Sequence, residues 1–459
     1  MMQGRNSDAR GRRIATKGKP RPAPAEAAPA SDDIGVEARV VAGILLNAAL
    51  EKRNGLDEAL SQPPARALAP VDRAFARAVA MAALRRLGEI DQILDRRLNK
   101  APPEAIRTLL RIALAQTLVL ETPAFAAVST AVKLAERDPK TRPYKNLVNA
   151  VLRGVGRDGP GLTTAEANLP DWIAARWKAA YGEATLAALA LAGREEPPTD
   201  LSLKPGVDPA AVAEAVEGET LFSAASGATV RTGRRGDVAA WPGFEDGVWW
   251  VQDAAAAAPA RLLDVKAGET ALDMCAAPGG KTLQLAAAGA EVVALDRSAP
   301  RLKRLTQNLE RTGLTAEVVA VPAEDWDDPR TFDAVLLDAP CTATGTFRRN
   351  PEVLRATRPA DVAKLADVQH RLLDVAADRV KPGGRLVYCT CSLEREEGET
   401  QIIAFLRRNP AFRTVPADPA VGAPAEALTP EGWLRILPSM KAERGGLDGF
   451  FAAKLERIS

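Results

Sequence analysis

The chain has 459 residues, 46% of them hydrophobic, with 61 basic and 59 acidic side chains for a net charge of +2. That length predicts several domains with real cores, and the balanced charge excludes a uniformly basic protein that coats polyanions, leaving local patches to decide nucleic-acid binding. Four cysteines, at 275, 341, 389 and 391, are too few and too clustered for a secreted disulfide framework, no apolar run reaches the roughly 20 residues that span a bilayer, and the N-terminus lacks an apolar signal core, so the expectation is a cytoplasmic chain without a membrane partner.

Residues 1–33 carry Arg5, Arg10, Arg12, Arg13, Lys17, Lys19 and Arg21 and then turn Pro- and Ala-rich. With almost nothing to bury, this stretch is predicted to be a disordered basic tail and is assigned no site.

From Ile34 to Gly156 apolar residues recur at helical spacing. Val36, Val40, Val41, Ile44 and Leu45 share one face, as do Ile106, Leu109, Leu110, Ala113, Leu114 and Leu118. Asp32 or Asp33 can cap the first helix, and Pro102-Pro103, Pro123, Pro139 and Pro143 punctuate the later ones. An all-helical domain is predicted over residues 34–156. After the Gly159-Pro160-Gly161 linker, Trp172 to Ala192 is again helical. Residues 198–250 alternate short β-like runs, Thr199 to Lys204 and Gly247 to Val251, with Gly and Pro turns, so a small α+β adaptor is predicted over 165–250.

From residue 251 to 459 the pattern becomes strand, loop, helix. Strand-like runs end at Met274, Leu295, Val321, Leu337 and Cys389 to Cys391, with helical stretches such as Leu302 to Thr312 and Val362 to Arg379 between them. A Rossmann-like α/β domain with a mostly parallel, doubly wound sheet follows. Such a sheet binds ligands beyond the carboxyl ends of its strands, which is where the informative residues fall.

The run Leu272-Asp273-Met274-Cys275-Ala276-Ala277-Pro278-Gly279-Gly280-Lys281-Thr282 packs a strand end, a glycine turn and a helix start together. Gly279 and Gly280 let the backbone approach a ligand and turn into the helix. Asp296, at the tip of the next strand, is an acid placed to accept from a ribose diol, or to cap the helix that follows. Gly280-Lys281-Thr282 also ends like a phosphate-binding P-loop, and Ala334 to Asp338 resembles the metal-holding strand of such proteins, so a P-loop nucleotidase is a rival reading. Against it, Cys275 replaces the first P-loop glycine, and a cysteine resists the left-handed conformation needed there. A nucleoside cofactor without a triphosphate suits the acid at 296, and S-adenosylmethionine is the candidate.

Asp338-Ala339-Pro340-Cys341 and Thr390-Cys391-Ser392 each deliver a thiol to the same predicted rim. Cys389 and Cys391 share a strand face, with Cys391 nearer the strand end and more accessible. Cys389 and Cys275 read as small core residues. Zinc is not expected, because Cys389-x-Cys391 has the wrong spacing and the other thiols are isolated. His370, the single histidine, reads as a surface residue within a helix.

At these residues the chain resembles the RNA 5-methylcytosine methyltransferases, with the order Cys275 to Lys281, Asp296, Asp338 to Cys341 and Thr390-Cys391-Ser392 in place. The helical region resembles the NusB antitermination fold through Asp72-Arg73-Ala74-Phe75-Ala76-Arg77, Arg107 to Gln116 and Asn146 to Arg153. Together the two resemblances cover nearly everything after residue 33 and imply the family of 16S small-subunit rRNA (cytosine-5)-methyltransferases. They imply S-adenosylmethionine held by Cys275, Ala276, Ala277, Pro278, Gly279, Gly280 and Lys281, its ribose on Asp296, and Asp338 between cofactor and base. Cys391 is implied as the nucleophile, with Cys341 assisting release of the methylated base, and Lys281 either aids electrostatically or caps its helix. The acid expected after the third strand aligns with Pro322, and Asp325 substitutes for it in the adenine contact. Cys389 beside the nucleophile is a second departure. A non-catalytic RNA-binding module is the alternative outside enzymes.

A base that reacts this way must leave its stack, so single-stranded or loop rRNA is the expected partner, with no DNA and a monomeric enzyme. Arg85, Arg86, Arg96, Arg97 and Lys100, then Arg231, Arg234 and Arg235, then Arg348 and Arg349 are read as an extended RNA track.

Overall fold

The computed structural model describes residues 35–458 apart from 53–55, 225 and 419–420. The basic tail, with Asp32 and Asp33, lies outside the described residues. The first helix, α1 (Val36–Asn47), starts instead at Gly35, whose φ of 92° serves as the N-cap. It is followed by α2 (Leu56–Ser61), α3 (Pro70–Arg85), α4 (Leu87–Asp95), α5 (Glu104–Leu118), α6 (Ala124–Arg137) and α7 (Lys145–Asp158). Leu45, Leu46, Ile90, Leu94, Ile106 and Leu110 meet in one core. The buried stripe of α1 runs through Ala38, Val41, Ala42, Leu45 and Leu46. Ile44, predicted on that face, is 42% exposed, because alanines and not only large residues fill the stripe where α1 approaches α3.

Gly182, at φ 85°, breaks the next helical stretch into α8 (Asp171–Tyr181) and α9 (Glu183–Ala192). A four-stranded antiparallel sheet follows, built from β1 (Thr199–Leu203), β2 (Gly218–Ala224), β3 (Gly227–Thr232) and β4 (Trp249–Val251) in the order β2-β3-β1-β4, with α10 (Pro209–Ala215) between β1 and β2. Leu201, Leu203, Val230, Trp241 and Trp249 form its core.

The third part contains α11 (Ala254–Leu263), β5 (Thr270–Met274), α12 (Gly280–Ala287), β6 (Glu291–Leu295), α13 (Ala299–Thr312), β7 (Glu317–Val319), β8 (Phe332–Asp338), α14 (Val353–Ala356), α15 (Pro359–Asp378), β9 (Val380–Thr390), α16 (Glu399–Arg408), β10 (Phe412–Val415), β11 (Leu434–Ile436) and β12 (Phe450–Arg457). Its sheet runs β10-β12-β9-β8-β5-β6-β7, with β11 on β12; the β9-to-β7 portion is parallel, and β12 enters antiparallel beside β9. Parallel strands covered on both faces read as unbroken apolar runs. Accordingly, Ala271, Ala334, Leu336 and Val387 pack under α11 and α12, while Leu272, Val335, Leu337 and Tyr388 pack under α15 and α16. The chain reverses direction of travel across the sheet at β5, which pairs β6 on one side and β8 on the other. Ligand crevices form at such switch points, beyond the carboxyl ends of the strands.

Candidate active site at the carboxyl rim

The loop from β5 to α12 turns at Cys275 and Gly279, at φ 61° and 110°. The left-handed Cys275 corrects the argument that a cysteine resists this conformation; the turn is held by the bond from Ala276 N to Leu295 O at 3.1 Å, and surrounding structure outweighs strain of about 1–3 kcal/mol. At Gly279 a Cβ would lie 2.8 Å from Leu305 Cγ, so the loop lies tight against α13. Burial, reinforced by Asp338, Asp296 and Asp273, pushes the Cys275 thiol up to about 12.

Lys281, in the first turn of α12, reaches across the rim to Asp338 at the end of β8, Nζ to Oδ2 at 2.7 Å. Although burial opposes its charge, Asp338 raises the Lys281 ammonium above its ordinary value, and the Phe450 ring sits 4.9 Å from Nζ. Thr282 donates to Asp273 Oδ2 at 2.6 Å. The lysine and threonine of a P-loop are thus both engaged by carboxylates, and this geometry disfavours a phosphate cradle more firmly than the Cys275 argument did. Asp273 is fully buried, its Oδ1 has no hydrogen-bond partner, and burial pushes its carboxyl up to about 7. Asp273 lies in the Leu272 to Thr282 run, where the sequence alone does not mark it as a site residue.

Asp296 accepts from Ala277 N at 3.1 Å and from Ser298 N at 2.8 Å, tying the glycine loop to the start of α13. It therefore shares the capping duty of the plainer reading while standing beside the loop. Asp325 is exposed on the short turn Ala323–Asp325 after β7, and the neighbouring Glu324 is near enough to add to the field at Cys275.

The thiols divide in two ways. Cys389 is buried and donates to Asp338 Oδ1 at 3.5 Å, with burial holding it well above its ordinary value. Cys341 and Cys391 are partly exposed, their sulfurs 3.5 Å apart. Contact with Cys391 and then burial raise the Cys341 thiol well above its ordinary value. Sequence reasoning missed Glu397, a buried acid beneath this pair that accepts from Thr342 and Ser392. The signal available was a small hydroxyl residue directly after each cysteine. Also missed was the grip of α8 on the Cys391 loop: Trp177 Nε1 donates to Glu394 Oε1 at 3.0 Å, Tyr181 OH to Leu393 O, and Arg176 bonds both Glu394 and Glu396. His370 is exposed, 3.8 Å from Asp374.

A cleft of about 450 Å³ opens beside Lys281, Asp338 and Asp273, walled by Trp250, Arg349 and Asp448. The burial of several arginines corrects the predicted RNA track. Arg85, Arg231 and Arg348 are buried. Arg231 bonds Asp200 in bidentate fashion at 2.6 and 2.8 Å, Arg349 bonds Asp253 at 2.7 Å and Asp448 at 3.2 Å, and Arg85 donates to Arg348 O. Arg231 also donates to Arg444 O and Gly446 O, and Arg349 to Pro198 O, so these cations are taken up by internal ties between distant segments, where buried guanidinium groups find carboxylate and carbonyl acceptors. Arg86 pairs with Glu89, and Arg97 donates to Gly159 O at 2.6 Å. Arg96, Lys100 and Arg235 are exposed, the last paired with Glu196 at 2.8 Å.

Residues 260–456 match the family model described as 16S rRNA methyltransferase RsmB/F, and residues 36–157 match the NusB family. The chain is similar to the ribosomal RNA small subunit methyltransferase B of Vibrio cholerae, 35% identical over 407 residues, covering 84% of this chain and 90% of the relative. It is also 34% identical over 438 residues to the protein of that name from Xanthomonas campestris, covering 93% and 98%. Among solved structures, a methyltransferase homolog protein from Pyrococcus horikoshii aligns with a TM-score of 0.52 at 27% identity, covering 63% of this chain and 95% of that one.

Proposed function

The chain belongs to the RsmB/F family of 16S rRNA methyltransferases, and from that premise we propose that Cys391 forms the covalent adduct through which carbon 5 of a cytosine in that RNA is methylated. The enzyme depends on S-adenosylmethionine, which when bound supplies an electrophilic methyl group. The residues present fit it. Asp273 Oδ1 is a buried acceptor lacking a donor, suited to a cationic amino group, and Gly279 leaves the loop with no side chain toward the neighbouring helix. Residues 275–281 with Asp296 and Asp273 would hold the cofactor, with Asp338 and Lys281 bordering it and Asp325 toward the adenine.

Carbon 5 of cytosine is a weak nucleophile. The Cys391 thiolate bonds to carbon 6, the 5,6 double bond opens, and its electron pair makes carbon 5 able to take the methyl group. Asp338 accepts from the cytosine 4-amino group, a donor that uracil lacks. Lys281, bonded to Asp338 Oδ2, holds that carboxylate in place for the contact. Loss of the carbon 5 proton to solvent restores the double bond as the carbon–sulfur bond breaks and Cys391 leaves as thiolate. Cys341, held protonated, donates to that departing sulfur. The observation that carries this reading is the 3.5 Å contact between Cys341 and Cys391 on the rim where Lys281 meets Asp338.

A base in this position has left its stack, which supports a single-stranded or loop segment as the target. Four free cysteines suit a reducing cytoplasm. The test is transfer of labelled methyl to cytosine of unmodified 16S rRNA, which Cys391→Ala should abolish while cofactor binding stays within about threefold; label transfer by that variant would reject the assignment.

A further inference from the structure

Glu397 is fully buried in the turn Arg395–Glu397 that follows Cys391. Its Oε1 accepts from the backbone N–H of Thr342 at 3.0 Å and from Gln369 Nε2 at 3.1 Å. Its Oε2 accepts from the hydroxyls of Thr342 and Ser392. Its own carbonyl receives Tyr388 OH at 2.8 Å and Thr390 Oγ1 at 3.1 Å, which fixes the turn to the last residues of β9. Thr342 follows Cys341 and Ser392 follows Cys391, so a single carboxylate binds the residue next to each thiol.

The donors named are all uncharged, and burial pushes the Glu397 carboxyl above its ordinary value. A buried carboxylate without a cation is an unfavourable choice if only space needs filling. It is well suited to gathering several donors at once, because an ionised carboxylate is acceptor-only and has about four lone-pair sites. Gln369 adds to the same tie, since its Nε2 also donates to Pro340 O at 2.9 Å, one residue before Cys341. The charge of Glu397 also reaches Cys341 and helps keep that thiol protonated.

We propose that Glu397 is a positioning residue for the two-thiol step, holding the Cys341 and Cys391 loops in the register that sets their sulfurs 3.5 Å apart. Without it Cys391 still attacks the base, but Cys341 no longer reaches the departing sulfur, so release fails before attack does. This inference rests on the assignment of Cys391 as nucleophile and Cys341 as the group that aids release.

The experiment compares full-length wild type, Glu397→Ala, Glu397→Gln and Cys341→Ala with labelled S-adenosylmethionine and unmodified 16S rRNA. It reads methyl turnover, cofactor affinity and denaturant-resistant protein–RNA adduct on a gel. Glu397→Ala is expected to lose at least about tenfold in turnover, keep cofactor affinity within about threefold, and accumulate adduct as Cys341→Ala does. Glu397→Gln retains an oxygen for the Thr342 N–H and should regain part of the turnover with less adduct. A merely structural role would lower turnover and cofactor affinity together with no adduct; that result, or wild-type turnover in Glu397→Ala, overturns the inference while Cys341→Ala still traps RNA. If Cys341→Ala traps nothing, the role given to Cys341 fails and the inference falls with it. If Glu397→Ala does not fold, adduct above wild type in Glu397→Gln supports the inference and its absence overturns it.

Discussion

Cys389 and Asp338 stand opposite each other in the parallel β8–β9 ladder, and the thiol of the first donates to the carboxylate of the second at 3.5 Å. That places the extra cysteine behind the site, as a second hydrogen-bond donor to Asp338 after Lys281. Cys389→Ala should therefore keep methyl transfer within about tenfold, since losing one neutral donor costs about 0.5–1.5 kcal/mol, and should trap no adduct. A collapse of turnover to the level of Cys391→Ala would give Cys389 a direct role that its burial argues against.

Asp273 links the site to pH. Its carboxyl is held at about 7 in the folded chain, against about 4 when unfolded. The stability carried by the protonated group is fully present below pH 4 and is lost as pH rises toward 7, amounting to at most about 4 kcal/mol. Cofactor-free Asp273→Asn should lack that component, so its stability relative to wild type should improve between pH 5 and pH 7.5. Denaturant melts across that range provide the check, and parallel curves would contradict it.

Arg231 separates an RNA contact from an internal tie. With Arg231 and Asp200 both buried, Arg231→Met leaves a carboxylate without its partner and should cost about 3–5 kcal/mol of stability. The salt dependence of RNA affinity should stay unchanged, because no phosphate contact is removed. A slope reduced by about one counterion, with stability intact, would return Arg231 to the RNA surface.

Gly279→Ala tests the loop. The added methyl meets Leu305 and the backbone must hold φ 110°, a conformation costing about 1–3 kcal/mol for a residue with a Cβ. Calorimetry should show cofactor affinity at least about tenfold weaker. Wild-type affinity would place the cofactor away from this loop.

The doubly wound sheet and its rim were legible because fully covered parallel strands write unbroken apolar runs that end in the residues of interest, Met274, Asp338 and Cys391. What could not be read joins residues distant in sequence. Glu397 reaches Thr342 across 55 positions, Arg176 reaches Glu394 across 218, and Arg85 reaches Arg348 across 263. A basic pair such as Arg348-Arg349 looks the same in sequence whether solvent or Asp253 and Asp448 surround it. The Cys275 turn was misjudged for a related reason, since local preference yields when a neighbouring strand end supplies the hydrogen bond.

RNA carrying 5-fluorocytidine at the target reads the bond to Cys391 most directly, because fluorine at carbon 5 cannot leave as a proton does and the adduct persists. Mass spectrometry of the digested complex should find the nucleotide on the peptide containing Cys391, with none formed by Cys391→Ala. A nucleotide carried by Cys341, or no adduct despite methylation of ordinary 16S rRNA, would rule out Cys391 as the nucleophile.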